Sequence, residues 1–329
     1  MPFARTVLGD VDVAQLGVTN AHEHLAISSG LIVMQHPDYR LNDANRAIEE
    51  IRDFADAGGS TIVDCTPCGV GREPDTLATI SRSTGVHVIG ATGVHKESYY
   101  LDSHWRFRYS IEEIADLWSA EIEMGMELSA YEGPIVARST ARAGIIKVGS
   151  DYQNIASNTK KAFEAAAQAH LRTGAPILTH SELGTMMLEQ VELLRSFGVK
   201  PEHVVISHGD RNPDWFVHRD VAETGAFIEY DCPGRIKYFP ESTIVELLRK
   251  MFDISLGDQI LLGGDNARRS YWKSYGGGPG VAYLLRSFVP RLRREGFAES
   301  HIEQLTATNA SAAFGFAEPA SAIPAPSGS

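Results

Sequence analysis

Residues 176–208 read PILTHSELGTMMLEQVELLRSFGVKPEHVVISH and contain one complete strand, helix and strand unit. Its two ends, Pro176–His180 and His203–His208, are short apolar runs, which are typical of buried strands. Between them, Thr185–Phe197 has apolar residues at three- and four-residue intervals and precedes Gly198, the residue type that commonly ends a helix. This pattern predicts two parallel strands joined by a helical crossover.

The same alternation continues on both sides of this unit. Eight short β-like runs are followed by amphipathic segments whose apolar residues recur at helical intervals. The predicted strands are Gly17–Leu25, Ser60–Cys65, Val86–Thr92, Gly144–Gly149, Pro176–His180, His203–His208, Ala226–Asp231 and Gln259–Asp265. The predicted helices are Asn45–Ala57, Asp75–Ser83, Ile111–Met126, Thr159–Arg172, Thr185–Phe197, Asp214–Glu223, Ser242–Met251 and Val281–Arg294.

This alternation predicts an α/β fold, and a closed (β/α)8 TIM barrel suits the length of 329 residues. An open doubly wound sheet is the alternative, but the first predicted strand lacks the Gly-rich phosphate turn of that fold. We therefore expect a single barrel domain over residues 1–316. Thr6–Leu16 is expected to form a hairpin across the barrel bottom, and the Ala-, Pro- and Ser-rich tail 317–329 is expected to be disordered.

Composition limits the classes of partner and the location. The chain carries 42 acidic and 30 basic residues, a formal net charge of −12, which disfavours nucleic acid as a partner. Its apolar runs are too short to cross a bilayer, so no membrane partner is expected. Three cysteines without a framework spacing are typical of a reducing compartment, and the first residues lack a signal-peptide pattern. These features predict a cytoplasmic protein.

Histidine and aspartate residues fall at the carboxyl ends of the predicted strands. His22 and His24 close the first strand at positions that point to the same face. His180 ends the fifth strand, His208 the sixth and Asp265 the eighth. Any one of them alone would be interpreted as structural, but the carboxyl ends of barrel strands face the active site. Four imidazoles and one carboxylate converging there predict a divalent metal site.

Lys147 is a charged residue inside the otherwise apolar fourth strand, in the run AGIIKVG. One interpretation is that its stem packs in the barrel while its ammonium group pairs with a carboxylate such as Asp151. The other is that burial favours the neutral form of the amine, which can react with carbon dioxide to give a carbamate able to bridge two metals. The histidines at the neighbouring strand ends favour the second interpretation.

Five segments, in order along the chain, carry a resemblance to a known family: AHEHL (21–25), GIIKVGS (144–150), ILTHSE (177–182), VVISHGDRN (204–212) and LLGGDNARRS (261–270). The chain resembles the phosphotriesterase-like family of the amidohydrolase superfamily over nearly its whole length. The resemblance implies a hydrolase with two divalent metal ions per subunit. The ligand set it implies is His22, His24, Lys147, His180, His208 and Asp265.

The resemblance also implies a role for each ligand. His22 and His24 are expected on the more buried metal and His180 and His208 on the other, with Lys147, modified to N6-carboxylysine, bridging the two beside a hydroxide. Asp265 is expected to ligate the buried metal and, as the catalytic residue, to move the hydroxide proton to the leaving oxygen. Zinc suits this ligand set, with manganese, cobalt and iron as alternatives. A homodimer is also implied.

The loops after the seventh and eighth predicted strands are rich in cations. Lys237, Arg268 and Tyr271, with Arg235 and Arg269, are predicted to surround the mouth of the site and bind substrate. Cations gathered there in an acidic protein indicate an anionic substrate, and arginine offers paired donors suited to phosphate. The alternative is a set of solvated loop cations.

Four further segments resemble the branch of the family that opens lactones of phosphorylated sugars: TGVHK (92–96), HGDRNPD (208–214), RRSYWK (268–273) and GGGPG (276–280). The resemblance implies hydrolysis of a furanose lactone phosphate by attack of the metal-bridging hydroxide. The alternative enzymes are a lactonase for unphosphorylated or acyl-homoserine lactones and a phosphotriesterase. A noncatalytic binding protein built on the same barrel is the alternative of a different class.

Overall fold

A computed structural model describes residues 2–128 and 137–319 of the chain. Near the amino terminus, β1 (Phe3–Thr6) pairs antiparallel with β2 (Gly9–Asp12), so the predicted hairpin is present but begins three residues earlier than expected. The eight-stranded sheet is parallel and follows the chain order. Its strands are β3 (Thr19–Glu23), β4 (Thr61–Asp64), β5 (His87–Gly93), β6 (Ala143–Gly149), β7 (Ile177–His180), β8 (Val204–Ser207), β9 (Phe227–Tyr230) and β10 (Ile260–Leu262).

The sheet returns on itself between its first and last strands. The backbone N–H groups of Gly264 and Asp265, just beyond β10, donate to the carbonyl oxygen of His22 in β3 at 3.1 and 2.8 Å. This link joins the two edges that the strand order alone leaves open. The fold is therefore the predicted (β/α)8 barrel, and the doubly wound alternative is excluded.

Helices follow the strands and cover the outside of the barrel. Some begin with side-chain caps: the Asp43 carboxylate accepts from the first turn of one helix, and Ser110 forms a capping box with Glu113 in another. The α-helices are α1 (Leu31–Gln35), α2 (Ala44–Asp56), α3 (Pro74–Thr84), α4 (Trp105–Arg108), α5 (Ile111–Glu123), α6 (Ser157–Thr173), α7 (Met187–Ser196), α8 (Trp215–Ala222), α9 (Glu241–Asp253), α10 (Val289–Arg294), α11 (Glu299–Glu303) and α12 (Asn309–Ala313). Within the described ranges, no helix combines the length and apolar character that a bilayer span requires.

The carboxyl-terminal part of the chain differs most from the predicted elements. The predicted helix Val281–Arg294 is a π-helix, Leu284–Phe288, that continues into α10. A second π-helix, Gln304–Thr308, joins α11 to α12. Neither α11 nor α12 was predicted from the sequence. α11, this π-helix and α12 follow one another without a break over residues 299–313, and the change of hydrogen-bond spacing in the middle interrupts the regular period that sequence analysis searches for.

The predicted disordered tail lies mostly outside the described residues. Residues 320–329 are not described, so the prediction stays untested there. At its start, the N–H of Ala317 donates to the carbonyl of Gly174 at 2.8 Å. This first residue of the tail therefore contacts the end of α6.

Inside the barrel, an apolar layer lies below a polar layer. Side chains two positions apart on a strand point to the same face. Several strands accordingly carry a buried apolar residue of the interior cluster and, two positions later, a buried polar one: Ile145 and Lys147, Leu178 and His180, Val205 and Ser207, and Phe227 and Glu229. The polar layer sits toward the carboxyl ends of the strands, where the functional site is expected.

The hairpin covers the opposite end of the barrel, as predicted. Ala4 of β1 and Leu16 belong to the same buried interior cluster as the strand residues. The N–H of Val7 donates to the carbonyl of Val88, near the start of β5, at 2.8 Å. The bottom of the barrel is therefore closed by the chain's own amino-terminal segment.

Gly93, at the end of β5, allows this strand to approach the backbone of Lys147 in β6. It has a φ of +96°, and a Cβ there would lie 1.9 Å from the Lys147 carbonyl oxygen. We expect Gly93→Ala to lower the free energy of unfolding by about 2–5 kcal/mol, because backbone strain adds to steric overlap. Urea unfolding measures this loss.

Gly85, in a left-handed conformation at the end of α3, provides the matched control. Its φ is +74°, and nothing lies within 4 Å of the point that an alanine Cβ would occupy. Gly85→Ala should therefore lose only the strain component, about 1–2 kcal/mol. Equal losses in the two variants would contradict the close approach of β5 to β6.

Candidate metal centre

The carboxyl ends of the strands open into a cavity that is lined by histidines, charged side chains and aromatic rings. Five of the six predicted metal ligands line it, and the sixth, Lys147, is buried with 1% of its surface exposed. The lining ligands are His22, His24, His180, His208 and Asp265. The structure therefore brings the predicted histidines and aspartate together at one end of the barrel.

The ligand atoms form two adjoining groups. In the first, Asp265 Oδ1 lies 3.3 Å from His24 Nε2 and 3.8 Å from His22 Nε2, and the three residues offer ligand atoms within 4.8 Å of one another. In the second, His208 Nε2 lies 2.9 Å from His180 Nδ1. The rings of His22 and His208 are 4.9 Å apart, which places the two groups side by side.

Buried acceptors orient the imidazoles. His22 Nδ1 lies 2.7 Å from Glu229 Oε2, and His24 Nδ1 lies 2.9 Å from the Thr66 hydroxyl. His208 Nδ1 lies 2.7 Å from Asp231 Oδ2. In His22 and His24, the hydrogen bond at Nδ1 leaves Nε2 to act as a ligand, which is the usual arrangement around protein-bound metals.

Three of these histidines are neutral and so retain the lone pairs that metal binding needs. Burial lowers the pKa of His22 and of His208 well below the usual value and lowers the pKa of His180 to about 4. Neutral imidazoles beside a carboxylate are the donor set that zinc and related divalent ions prefer. The residues present therefore fit a divalent metal centre.

Lys147 is a buried amine that forms no ion pair with the described residues. Its Nζ donates to the Ser207 hydroxyl at 3.3 Å. Across residues 2–128 and 137–319, no carboxylate forms an ion pair with it, so the pairing with Asp151 is not observed. A buried amine that lacks a counter-ion is costly unless it is neutral or modified.

Two buried arginines hold Asp265 from the side that faces away from the histidines. Asp265 Oδ2 accepts from Arg211 Nη2 at 2.6 Å and from Arg235 Nη1 at 2.8 Å, and both arginines also reach Asp231. Burial opposes ionisation of Asp265, but Arg235 and its other charged neighbours outweigh it and hold the pKa of Asp265 well below its usual range. Asp265 is therefore an ionised carboxylate with Oδ1 left facing the histidines.

Another part of the cavity wall carries cations that are weakly paired. The Arg268 guanidinium lies 4.2 Å from the ring centroid of Tyr39 and donates to its hydroxyl at 2.9 Å, while its carboxylate neighbour Asp38 is 3.9 Å away. Lys237 Nζ lies 5.9 Å from the ring centroid of Tyr271. Both cations line the cavity, as does Tyr271, and are available to an anionic ligand.

The other two predicted substrate-binding arginines are corrected by the structure. Arg269 does not line the cavity, because its guanidinium donates to the Arg40 carbonyl and to Asn42 Oδ1 and braces a loop. Arg235 lines the cavity, but its side chain is 4% exposed and is bound to Asp231 and Asp265. Arg235 therefore belongs to the metal end of the site rather than to its anion-binding part.

Two of the predicted ligands occupy strained backbone positions. His208 has a φ of 67° and Asp265 a φ of 45°, in the left-handed region that non-glycine residues rarely adopt. The N–H of His208 donates to Asp231 Oδ2 at 2.8 Å, and the N–H of Asp265 donates to the carbonyl oxygen of His22. These hydrogen bonds maintain the unusual conformations, which concentrate at functional sites.

Sequence reasoning missed three residues of this site. Glu229 and Asp231 alternate along FIEYD (227–231), so charged side chains on the barrel-facing side of a strand were a signal that could have found them. Tyr39, which stacks under Arg268, lies in a short turn after α1. No periodicity marks such a position, so only the fold could reveal it.

Comparison with known proteins agrees with the fold. The Phosphotriesterase family matches residues 2–314. A phospho-furanose lactonase from Mycoplasmopsis synoviae is 39% identical in an alignment that covers 96% of this chain and 92% of that protein. Among solved structures, an amidohydrolase from Mycoplasma synoviae has a TM-score of 0.94 at 39% identity, covering 96% of this chain and 93% of its own. A lactonase from Listeria monocytogenes has a TM-score of 0.89 at 33% identity, covering 96% and 100%. The chain belongs to the phosphotriesterase family.

Proposed function

We propose that the protein is a metal-dependent lactonase that opens a furanose lactone carrying a phosphate group. The observation that carries this proposal is the division of one cavity into two chemically different parts. One part gathers four histidines and Asp265, and the other presents Lys237 and Arg268, the latter with the Asp38 carboxylate 3.9 Å away. The phospho-furanose lactonase named above, 39% identical to this chain, supports the same substrate class.

We propose that His22, His24 and Asp265 hold one divalent cation and that His180 and His208 hold a second. Lys147, carboxylated on Nζ, would supply the shared anionic ligand, and its burial without an acidic partner supports this modification. Two such cations would supply hydroxide from water near neutral pH and polarise the lactone carbonyl. Zinc is the metal we propose, with manganese, cobalt and iron as alternatives.

Asp265 would act as the proton carrier. Its Oδ1 faces His22 and His24, so this oxygen is placed to take a proton from the attacking water. Arg211 and Arg235 keep the side chain oriented through Oδ2 and make its protonated form short-lived. Asp265 would therefore pass the proton on to the ring oxygen as the lactone opens.

Lys237, Arg268 and Tyr271 would hold the phosphate. Tyr39 presents the Arg268 guanidinium by stacking and by accepting one of its hydrogen bonds, which leaves further donors for the ligand. A neutral triester or an acyl-homoserine lactone has no anionic group to offer these cations. The cations would then lack a charged partner in a cavity wall that is partly shielded from water. That loss disfavours neutral substrates relative to phosphorylated ones.

Metal analysis of Lys147→Ala tests the metal centre. We expect about two metal ions per chain in the wild-type protein and a sharp fall in the variant, because the shared ligand is lost. Metal content after growth in metal-replete medium, measured by plasma mass spectrometry, checks this expectation.

Lys200→Ala is the control, since the Lys200 side chain is 75% exposed and its ammonium group lies 3.8 Å from Glu202 Oε1, which is not a predicted ligand. It should keep the wild-type metal content and activity. Wild-type protein that is purified without metal, or a Lys147→Ala variant that keeps both ions, would refute the proposed centre.

Substitution of the cavity cations tests the substrate class. Lys237→Ala and Arg268→Ala should each lower kcat/KM for a phosphorylated furanose lactone by about 10- to 100-fold, because each removes a charged hydrogen bond to phosphate. For the same lactone without phosphate, the change should be small.

Arg269→Ala is the matched control, because Arg269 lies next to Arg268 in sequence but outside the cavity. It should leave both substrates nearly unaffected. Equal losses on phosphorylated and unphosphorylated lactones in the Lys237 and Arg268 variants would show that these residues do not bind phosphate.

A further inference from the structure

His95 is a cavity-lining imidazole to which neither the proposed metal centre nor the proposed phosphate site gives a role. It follows β5, is 8% exposed and lies in the cavity wall. Its ring centroid is 4.6 Å from that of His180, a proposed metal ligand, and 3.9 Å from that of Tyr99, on which it stacks. His95 therefore sits at the end of the cavity where the carbonyl group would react.

A backbone hydrogen bond fixes which ring nitrogen of His95 carries the proton. The N–H of Lys96 donates to His95 Nδ1 at 2.8 Å, so Nδ1 holds the lone pair and Nε2 carries the hydrogen of the neutral ring. Among the residues that the structure describes, none accepts a hydrogen bond from Nε2.

The backbone of His95 is also fixed on both sides. Its N–H donates to the Tyr100 hydroxyl at 2.7 Å, and its carbonyl accepts from Arg106 Nη1. With Tyr99 stacked on the ring, the position and direction of Nε2 are set before any ligand binds. A fixed donor without a protein acceptor is the arrangement by which active sites stabilise a substrate oxygen.

We propose that His95 Nε2 donates a hydrogen bond to an oxygen of the lactone that is being opened. This inference rests on the proposed function and deepens it. The accepting oxygen belongs to the part of the sugar around the carbonyl carbon: the ring oxygen that leaves, or the hydroxyl on the neighbouring carbon. The ring oxygen is common to all lactones, whereas the neighbouring hydroxyl is specific to sugar lactones, so a hydrogen bond to the hydroxyl would also select for a sugar.

The wall between the two ends of the cavity supports this assignment. Tyr99, which stacks on His95, lines the same cavity wall as Tyr39. Tyr39 in turn accepts from Arg268 at 2.9 Å. The proposed phosphate-binding guanidinium and the His95 donor therefore belong to the wall of one cavity, so a phosphate held by Arg268 would limit which lactone oxygen can reach His95.

A pair of substitutions isolates the donor. His95→Phe keeps a ring against Tyr99 but removes Nε2–H, whereas His95→Gln can place an amide N–H near the same point; both remove the acceptor used by Lys96. On a phosphorylated furanose lactone, we expect kcat to fall about 10- to 100-fold in His95→Phe and less than about 5-fold in His95→Gln. Metal content and thermal unfolding of both variants should match those of the wild type.

Two substrate analogues identify the accepting oxygen. A ring thiolactone replaces the leaving oxygen with sulfur, a weak acceptor, and a 2-deoxy lactone lacks the neighbouring hydroxyl. The difference between His95→Phe and His95→Gln should disappear with the analogue that lacks the true acceptor. If the difference persists with both analogues, or if His95→Phe with a full metal content equals the wild type, the proposal is wrong.

These measurements distinguish the role of His95 from the proposed function. Should the wild type open only unphosphorylated lactones, the phosphate assignment fails, and the same two variants measured on those substrates still decide the role of His95. A wild-type protein that opens no lactone overturns both. A loss of metal in His95→Phe but not in His95→Gln would show a role in metal binding and would also overturn the proposal.

Discussion

The hydrogen bonds from Gly264 and Asp265 to the carbonyl oxygen of His22 are the constraint on which the functional site depends. They close the barrel between β3 and the segment after β10, and they place a histidine and an aspartate from opposite ends of the chain side by side. Because a closed barrel has no free edge, neither strand can shift without breaking this seam. The spacing of the ligand atoms therefore follows from the closure of the fold.

Paired charges make the polar layer of the barrel stable without solvent. Arg211 and Arg235 lie between Asp231 and Asp265, and Glu229 lies against His22. Burying such charges singly costs several kcal/mol each, and removing one partner of a buried pair costs about 3–5 kcal/mol. The network thus explains how Asp265 can be buried, ionised and correctly oriented at once.

The loops give this barrel its substrate preference, because strands of one architecture support many reactions. Here the difference between two neighbouring arginines is decisive. Arg268 stacks on Tyr39 inside the cavity wall, while Arg269 points to a loop backbone outside it. A single residue of displacement along the chain separates a cation that lines the cavity from one that only braces the loop.

The sequence by itself determined the fold class, the order of the barrel strands and the residues that converge at their carboxyl ends. It did so because alternation along a strand and periodicity along a helix are local properties. The predicted strands were too long where ligands follow them: β10 ends at Leu262, and Asp265 lies in a left-handed conformation beyond it. Hydrogen bonds to other strands, which the local pattern does not encode, maintain that conformation.

Only the tertiary structure decided which partner each side chain finds. Arg235 looked like a substrate cation in sequence, yet it is bound to Asp265 because the loop after β9 packs against the end of β10. The open nitrogen of His95 and the place of Tyr39 under Arg268 follow in the same way from contacts between distant segments. A few neighbouring residues determine which face of a strand or helix a side chain occupies. The side chains that it contacts there depend on the packing of the whole barrel.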